Sequence, residues 1–298
     1  MLRTAKKALG YAAETAWSSA LSGGALVRRR GIEHWRSDGG QRVLAIAPHP
    51  DDEAIGCAGT LLRHKRAGDE VGLVYVTDGG QSRALGLKQA AMVHRRHYEA
   101  ALAAQRLGAD EVVWLGLPEG AWAEAELRAS LATIIRDWAP QIIYAPSRVD
   151  FHPEHWRVAQ ALAQVLAASA GERANITLRI YQIQVPLTAI LVNLVTPVAS
   201  VLAESQAVYA AYQTQHSSIA RTARMRRYAA RFYGLSGPGE EFWQLSIHEY
   251  DRLHRGSPDQ WHRFRSLRPH ALSDLLAYWQ GRGERRRLRR ALAAGGVV

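Results

Sequence analysis

The chain has a single cysteine, Cys57, among 298 residues. That excludes an internal disulfide framework and a zinc site built on several thiolates, so any bound metal must be held by imidazole and carboxylate. No apolar run reaches the ~20 residues that a membrane-spanning helix needs. Val185 to Ala203 comes nearest, but Pro186, Thr188, Asn193, Thr196, Pro197 and Ser200 interrupt it. A signal-peptide core is lacking too: Arg3, Lys6 and Lys7 offer a basic start, yet Glu14 and Trp17 interrupt the segment after it. There is no internal repeat. The expectation is a cytoplasmic enzyme, with peripheral membrane contact through its basic ends as an open alternative.

Apolar residues make up 47% of the chain, an ordinary fraction for a globular protein. The length allows one large α/β domain or two small ones. Formal net charge is +11, and much of it sits at the ends, in Arg28, Arg29 and Arg30 and in Arg285, Arg286, Arg287, Arg289 and Arg290. Such an excess serves solubility first, and attraction to phosphate-bearing substrates, anionic lipid or nucleic acid second.

From Arg42 onward, short apolar runs alternate with helical patterns. Val43 to Ala47, Val71 to Thr77, Glu111 to Leu115, Gln141 to Ala145 and Ile176 to Val185 read as strands. Ile55 to Ala67, Leu87 to Leu107, Glu124 to Trp138 and His155 to Ala170 read as helices, stopped by Gly68, Gly108, Pro140 and Gly171. This alternation predicts an α/β, Rossmann-like fold: a mostly parallel sheet with helices on both faces. Functional groups in such sheets gather beyond the carboxyl ends of the strands.

After Pro186 the pattern weakens. Val201 to Gln215 and Ile219 to Phe232 read as helices, Phe242 to Ile247 as a late strand and Ala271 to Ala293 as a basic helix. Leu2 to Leu26 fits an amphipathic helix, packed on the domain or lying on a membrane surface. The expected division is an N-terminal helical extension over 1–40, a catalytic domain over 41–250 and a basic C-terminal helical extension over 251–298.

Pro48-His49-Pro50-Asp51-Asp52-Glu53 comes directly after the first strand. One imidazole and three carboxylates so close together repel one another unless a cation joins them. Zinc suits this set, since it takes imidazole nitrogen and carboxylate oxygen at about 2.0–2.2 Å. A catalytic zinc has three protein ligands and an open position, so a second histidine is expected from elsewhere. His152-Pro153-Glu154-His155, just past the fourth strand, supplies one. Each run also has a plainer reading: an acidic helix start favoured by the helix dipole, and a helix N-terminus with solvated imidazoles. Both runs lying at strand ends favours the metal. Gly56 and Gly59 hint at nucleotide binding, but the G-x-G-x-x-G pattern is incomplete and close helix–strand packing explains them better. Trp243, Trp261 and Trp279 are candidates for stacking on sugars, although packing is the commoner fate of Trp.

Pro48 to Glu53, with Gly56-Cys57-Ala58-Gly59-Thr60 after it, resembles the signature of the PIG-L/LmbE-type N-acetylglucosaminyl deacetylases. Asp150 with His152 to His155 resembles the D-x-H-P-D-H element of that family. Thr77-Asp78-Gly79, the helix bearing Arg96, Glu99, Ala103, Leu107 and Gly108, the loop Leu115 to Gly120 and the run Tyr212 to Gln215 resemble further family elements. The resemblance spans Arg42 to Ile247. Glu154 and Glu119 depart from it, standing where the family usually has Asp.

The resemblance implies a zinc-dependent N-deacetylase acting on an N-acetylglucosamine-type sugar or glycoconjugate, either a small molecule or lipid-linked. It implies His49, Asp52 and His155 as zinc ligands and Asp51 as a general base that does not touch the metal. It further implies a protonated His152 facing the oxyanion, with Glu154 orienting His152 from behind. Arg96 and Glu119 are candidates for holding sugar hydroxyls or a phosphate. Other divalent metals also accept N and O ligands. Two alternatives stand beside it. One is an amidase that removes a larger acyl group. The other is a basic membrane- or nucleic-acid-binding protein with a non-catalytic metal site, although nucleic acid is not the expected partner.

Overall fold

The computed structural model describes residues 32–150, 152–168, 175–183, 187–255 and 282–295. The helix expected over Leu2 to Leu26, most of that expected over Ala271 to Ala293, and Trp261 and Trp279 lie outside these.

Strand β1 is Glu33–His34, β2 Arg42–Ala47, β3 Glu70–Thr77, β4 Glu111–Leu117, β5 Ile142–Pro146, β6 Thr177–Tyr181, β7 Leu194–Pro197 and β8 Gly239–Ser246. They form one sheet in the order β1-β7-β8-β6-β5-β2-β3-β4. Among these described strands, β8 alone runs against its neighbours; the other pairs are parallel. The α/β architecture read from the sequence is therefore correct, and β1 and β7 are additions too short to announce themselves. Helix α1 is Asp52–Ala67, α2 Gln89–Leu107, α3 Glu124–Trp138, α4 Pro153–Ala168, α5 Thr188–Leu191, α6 Leu202–Tyr209, α7 His216–Tyr233, α8 Ile247–His254 and α9 Arg282–Ala293.

The core has two layers, one on each face of the sheet. Val43, Ala45, Leu73 and Tyr75 pack with α1, α2 and α6. Leu44, Ile46, Val74 and Ile143 pack with α3, α4, α8 and α9. Alternate residues of each central strand thus serve opposite layers, which is why these strands read as unbroken apolar runs. Trp35 joins one layer and Leu288 and Leu292 the other, so described parts of both flanking segments pack on the same sheet. Trp243 is also buried in a core layer.

Two expected elements differ. The helix expected over Val201 to Gln215 stops at Tyr209, and Gln213–Gln215 forms a separate 3-10 turn. Side chains of that turn and of Tyr212 just before it are drawn to other helices: Thr214 Oγ1 donates to Glu99 Oε2 at 2.6 Å, and the Tyr212 hydroxyl donates to Glu53. The late strand begins at Gly239 and ends at Ser246, where Ser246 and Glu249 form a capping box that starts α8.

Strand order reverses between β2 and β5. The chain moves outward from β2 through β3 to β4, then returns to β5 on the other side. This is the switch point at which α/β sheets leave a crevice at their carboxyl edge. His49 lies just past β2, and His152 and His155 lie just past β5.

Candidate metal centre

Thr77 at the end of β3 donates from its backbone N (3.0 Å) and its hydroxyl (2.8 Å) to Pro48 O, pinning the loop that begins the site. Asp51 then turns sharply, with φ 135° and ψ −18°. An L residue rarely occupies this region, at a cost of about 1–3 kcal/mol. Helix α1 starts directly after it. Asp51 is the N-cap residue by position, yet its side chain makes no cap bond. The acidic start is therefore not simple helix capping.

Three atoms converge. His49 Nδ1 lies 3.1 Å from Asp52 Oδ2, His155 Nε2 lies 3.3 Å from the same oxygen, and the two nitrogens are 3.2 Å apart. A tetrahedral ion with ligands at about 2.0–2.2 Å holds them roughly 3.3–3.6 Å apart. The triangle fits such an ion after a shift of a few tenths of an ångström. The outer ring nitrogens fit as well. His49 Nε2 lies 2.7 Å from Glu154 Oε2, and His155 Nδ1 lies 3.3 Å from Asp150 Oδ1. A proton kept on His49 Nε2 leaves its Nδ1 lone pair free for a metal, the usual carboxylate–histidine–metal pattern, while His155 Nδ1 has Asp150 only at ion-pair distance.

The electrostatics agree. Burial disfavours charge on His49, but Asp52 and Glu154 outweigh it and raise its pKa to about 9. His155 behaves alike: burial opposes the charge, and Asp52 and Asp150 drive its pKa well up. Asp52 is lowered against burial by His155 and His49. The cluster thus calls for positive charge at its centre, which a divalent ion supplies.

Asp51 stands apart from this triangle. Its Oδ1 accepts from Arg96 Nη2 at 2.8 Å. Burial raises Asp51 to about 6, with Arg96 pulling the other way. Arg96 is itself buried, and its Nε and Nη1 have no hydrogen-bond partner among the described residues.

His152 lies beside the triangle, its ring centre 4.6 Å from that of His49 and 4.9 Å from that of His155. Its Nδ1 accepts from the backbone N of Glu154 at 3.4 Å, which leaves Nε2–H as its donor. Burial and the neighbouring imidazoles lower its pKa to about 4. Burial and these two imidazoles thus pull against the expected protonation of His152.

Glu154 also departs from expectation. Its carboxylate does not reach His152. Oε2 meets His49, while Oε1 accepts from Gly120 N at 2.6 Å and Trp122 Nε1 at 2.9 Å. Glu119 Oε2 accepts from Gln81 N at 2.8 Å, and its Oε1 lies 3.6 Å from His49 Nε2. Both longer carboxylates therefore reach the same imidazole.

A cavity of about 290 Å³ opens onto these groups, lined among others by Asp51, Arg96, Glu119, His152, Gln81 and Gln215. Every residue singled out from the sequence as ligand, base, oxyanion donor or substrate contact is at this centre. The sequence reading missed Trp122, Gln81 and Ser82, and gave Asp150, Tyr212 and Gln215 no role beyond family motifs. Gln81 and Ser82 come directly after Asp78-Gly79-Gly80, the turn beyond β3, and that position was the available signal.

Gly56 and Gly59 are explained by close approach. A Cβ on Gly56 would lie 2.3 Å from the Tyr181 ring, and one on Gly59 would lie 2.6 Å from Val198 Cγ1.

Fold and site together define an α/β protein with a candidate His–carboxylate metal site at the switch point of its sheet. Residues 44–166, somewhat under half of the chain, match the family described as "PIG-L: GlcNAc-PI de-N-acetylase". It is 28% identical over 172 residues to a 1D-myo-inositol 2-acetamido-2-deoxy-alpha-D-glucopyranoside deacetylase of Kineococcus radiotolerans, covering 46% of this chain and 48% of that one. It is 31% identical over 120 residues to a diacetylchitobiose deacetylase of Thermococcus kodakarensis, covering 39% of this chain and 45% of the other. The chain thus spans about half the length of these curated relatives. Among solved structures, the conserved protein TT1542 from Thermus thermophilus is similar at a TM-score of 0.59 and 27% identity, covering 69% of this chain and 94% of that one. The 4-carboxy-2-hydroxymuconate hydratase GalB of Pseudomonas putida has the same fold at a TM-score of 0.59 and 17% identity, covering 69% and 96%. The fold alone therefore does not select the reaction.

Proposed function

We propose that this protein is a zinc-dependent amide hydrolase that removes the N-acetyl group from an N-acetylglucosamine-type sugar or glycoconjugate. One observation carries the reading: two adjacent carboxylates take different partners. Asp52 Oδ2 lies within 3.3 Å of both ligand nitrogens, while Asp51 turns onto Arg96. That is the separation a metal ligand and a general base require.

His49, Asp52 and His155 would hold the metal, which when bound supplies an acidified water and polarises the amide carbonyl. Asp51 takes the proton of the attacking water as its oxygen adds to the acetyl carbon. His152 gives its Nε2–H as a hydrogen bond to the developing oxyanion. Asp51 then returns the proton to the departing nitrogen as the C–N bond breaks, leaving acetate and a free amine. The idle donors of Arg96, the free edge of Glu119 and the amides of Gln81 and Gln215 make a lining suited to sugar hydroxyls. The activities named for the two deacetylase relatives support an aminosugar substrate.

The test is a mass-spectrometric screen of N-acetylglucosamine, N,N′-diacetylchitobiose and the inositol-linked glucosaminide, with and without chelator. Chelator-sensitive acetate release that zinc restores is expected. Release of a longer acid from acylated analogues would assign an amidase instead, and no hydrolysis of any probe would retire the proposal. Among the described residues no helix is long and apolar enough to cross a membrane. Arg286, Arg287, Arg289 and Arg290 are exposed on α9, which suits peripheral contact with an anionic surface. Cosedimentation with phosphatidylglycerol vesicles tests that contact, and an absence of salt-sensitive binding would reject it.

A further inference from the structure

We infer that Glu53, fixed by Tyr212, is a positioning residue that holds the Asp51 peptide in its high-energy turn and so aims the base. The inference rests on the hydrolase reading above and adds to it a part that the reaction scheme does not use.

Glu53 is a carboxylate with no exposed surface. A buried carboxylate is costly unless its oxygens find donors. Its Oε2 accepts the backbone N–H of Asp51 at 3.3 Å. Its other oxygen, Oε1, accepts the hydroxyl of Tyr212, a residue 159 positions away in sequence. The Tyr75 hydroxyl lies 3.4 Å from that of Tyr212 and closes the cluster. Glu53 is not among the residues lining the cavity, and its two oxygens are taken by Asp51 N and the Tyr212 hydroxyl rather than by His49 or His155, so it is placed neither to touch substrate nor to bind the metal.

Its remaining task is visible in the backbone. Asp51 has φ 135°, and such a conformation persists only where its surroundings hold it. The Asp51 C=O is held by Ile55 N at 2.9 Å, its carboxylate by Arg96, and its N–H by Glu53. Glu53 is held in turn by Tyr212, whose turn is anchored to α2 through Glu99 and Thr214. Hydrogen bonds joined by the short backbone link from Tyr212 to Thr214 therefore connect α2 to the Asp51 peptide.

Two substitutions separate this role from packing and from charge. Glu53→Met keeps the volume but offers Asp51 no acceptor. Glu53→Gln keeps an acceptor for that N–H, and the Tyr212 hydroxyl can rotate to accept from the new amide. With N,N′-diacetylchitobiose, Glu53→Met should lower kcat about 10²-fold, with KM within about twofold and zinc content unchanged. Glu53→Gln should recover most of the loss. Tyr212→Phe should lower kcat about tenfold, as expected for one lost buried hydrogen bond. It also serves if the Met variant does not fold. Normal kcat in Glu53→Met or Tyr212→Phe overturns the inference. So does a Gln variant as impaired as Met, which would make the charge decisive, and so does a loss that tracks zinc content. Wild type and Asp51→Asn run alongside. A wild type that hydrolyses none of the probes refutes the hydrolase reading, whereas an active wild type, an inactive Asp51→Asn and a normal Glu53→Met refute only the positioning role.

Discussion

Glu154 Oε2 lies 2.7 Å from His49 Nε2, on the side of the imidazole opposite Asp52. This contact fixes which nitrogen of His49 carries the proton and which faces the metal position. Removing such a carboxylate typically weakens metal binding about 10–100-fold. Glu154→Gln should therefore raise the zinc dissociation constant by that factor without unfolding the protein, read by competition with a chromophoric chelator. Unchanged affinity would show that the contact does not orient the ligand.

If Asp51 is the base, Arg96 should set the pH at which it acts. Burial lifts the Asp51 pKa to about 6 while the guanidinium lowers it. The base works when deprotonated, so kcat/KM should rise with pH through this pKa. Arg96→Met leaves burial unopposed, and the acid limb should move to higher pH. Profiles of kcat/KM from about pH 5 to 9 for both proteins check this, and coincident acid limbs would exclude the coupling.

A second buried polar group, remote from the metal centre, should govern acid stability. His64 Nδ1 lies 2.5 Å from Asp69 Oδ2 and its Nε2 lies 2.9 Å from the Tyr144 hydroxyl. Burial outweighs Asp69 and lowers His64 to about 4, against about 6.5 when unfolded. The unfolded chain therefore binds the extra proton between those values. The stability His64 contributes is fully present above about pH 6.5 and is lost as pH falls toward 4. Between about pH 7 and 4.5 the wild type should lose roughly 2–3 kcal/mol more than His64→Gln. Urea unfolding at both pH values measures the difference, and parallel losses would contradict it.

Gly56→Ala should destabilise the protein. Alanine in a helix interior gains about 0.5–1 kcal/mol over glycine. Here the new methyl would sit 2.3 Å from the Tyr181 ring, which is buried and tied through its hydroxyl to Ile46 O at 2.6 Å. Overpacking costs about 1–3 kcal/mol, so the clash outweighs the helix gain. Thermal unfolding should show a lowered Tm, and a raised Tm would mean that the ring moves freely.

Much of the fold was legible because its central strands are covered on both faces. Val43 to Ala47 and Val71 to Thr77 are continuous apolar runs for that reason. The short outer strands were not legible, since Glu33–His34 and Leu194–Pro197 carry no periodicity of their own and are defined by pairing. Within the site, the two motifs that converge could be read because each is local in sequence. The partners of those residues could not. Glu154 reaches His49 rather than His152, a contact across the two motifs that no spacing rule encodes. Tyr212 and Glu53 meet only after α2 and the Gln213–Gln215 turn are docked. The charge on His152 likewise depends on burial beside two other imidazoles.

The account stands on Asp51 acting as base without binding metal. Its most direct test is to measure zinc content and acetate release for wild type and Asp51→Asn, each stripped with chelator and reloaded. Asp51→Asn should bind as much zinc as the wild type and lose acetate release about 10²–10⁴-fold. Near-normal release by the zinc-loaded variant, or failure of the variant to bind zinc, would contradict it.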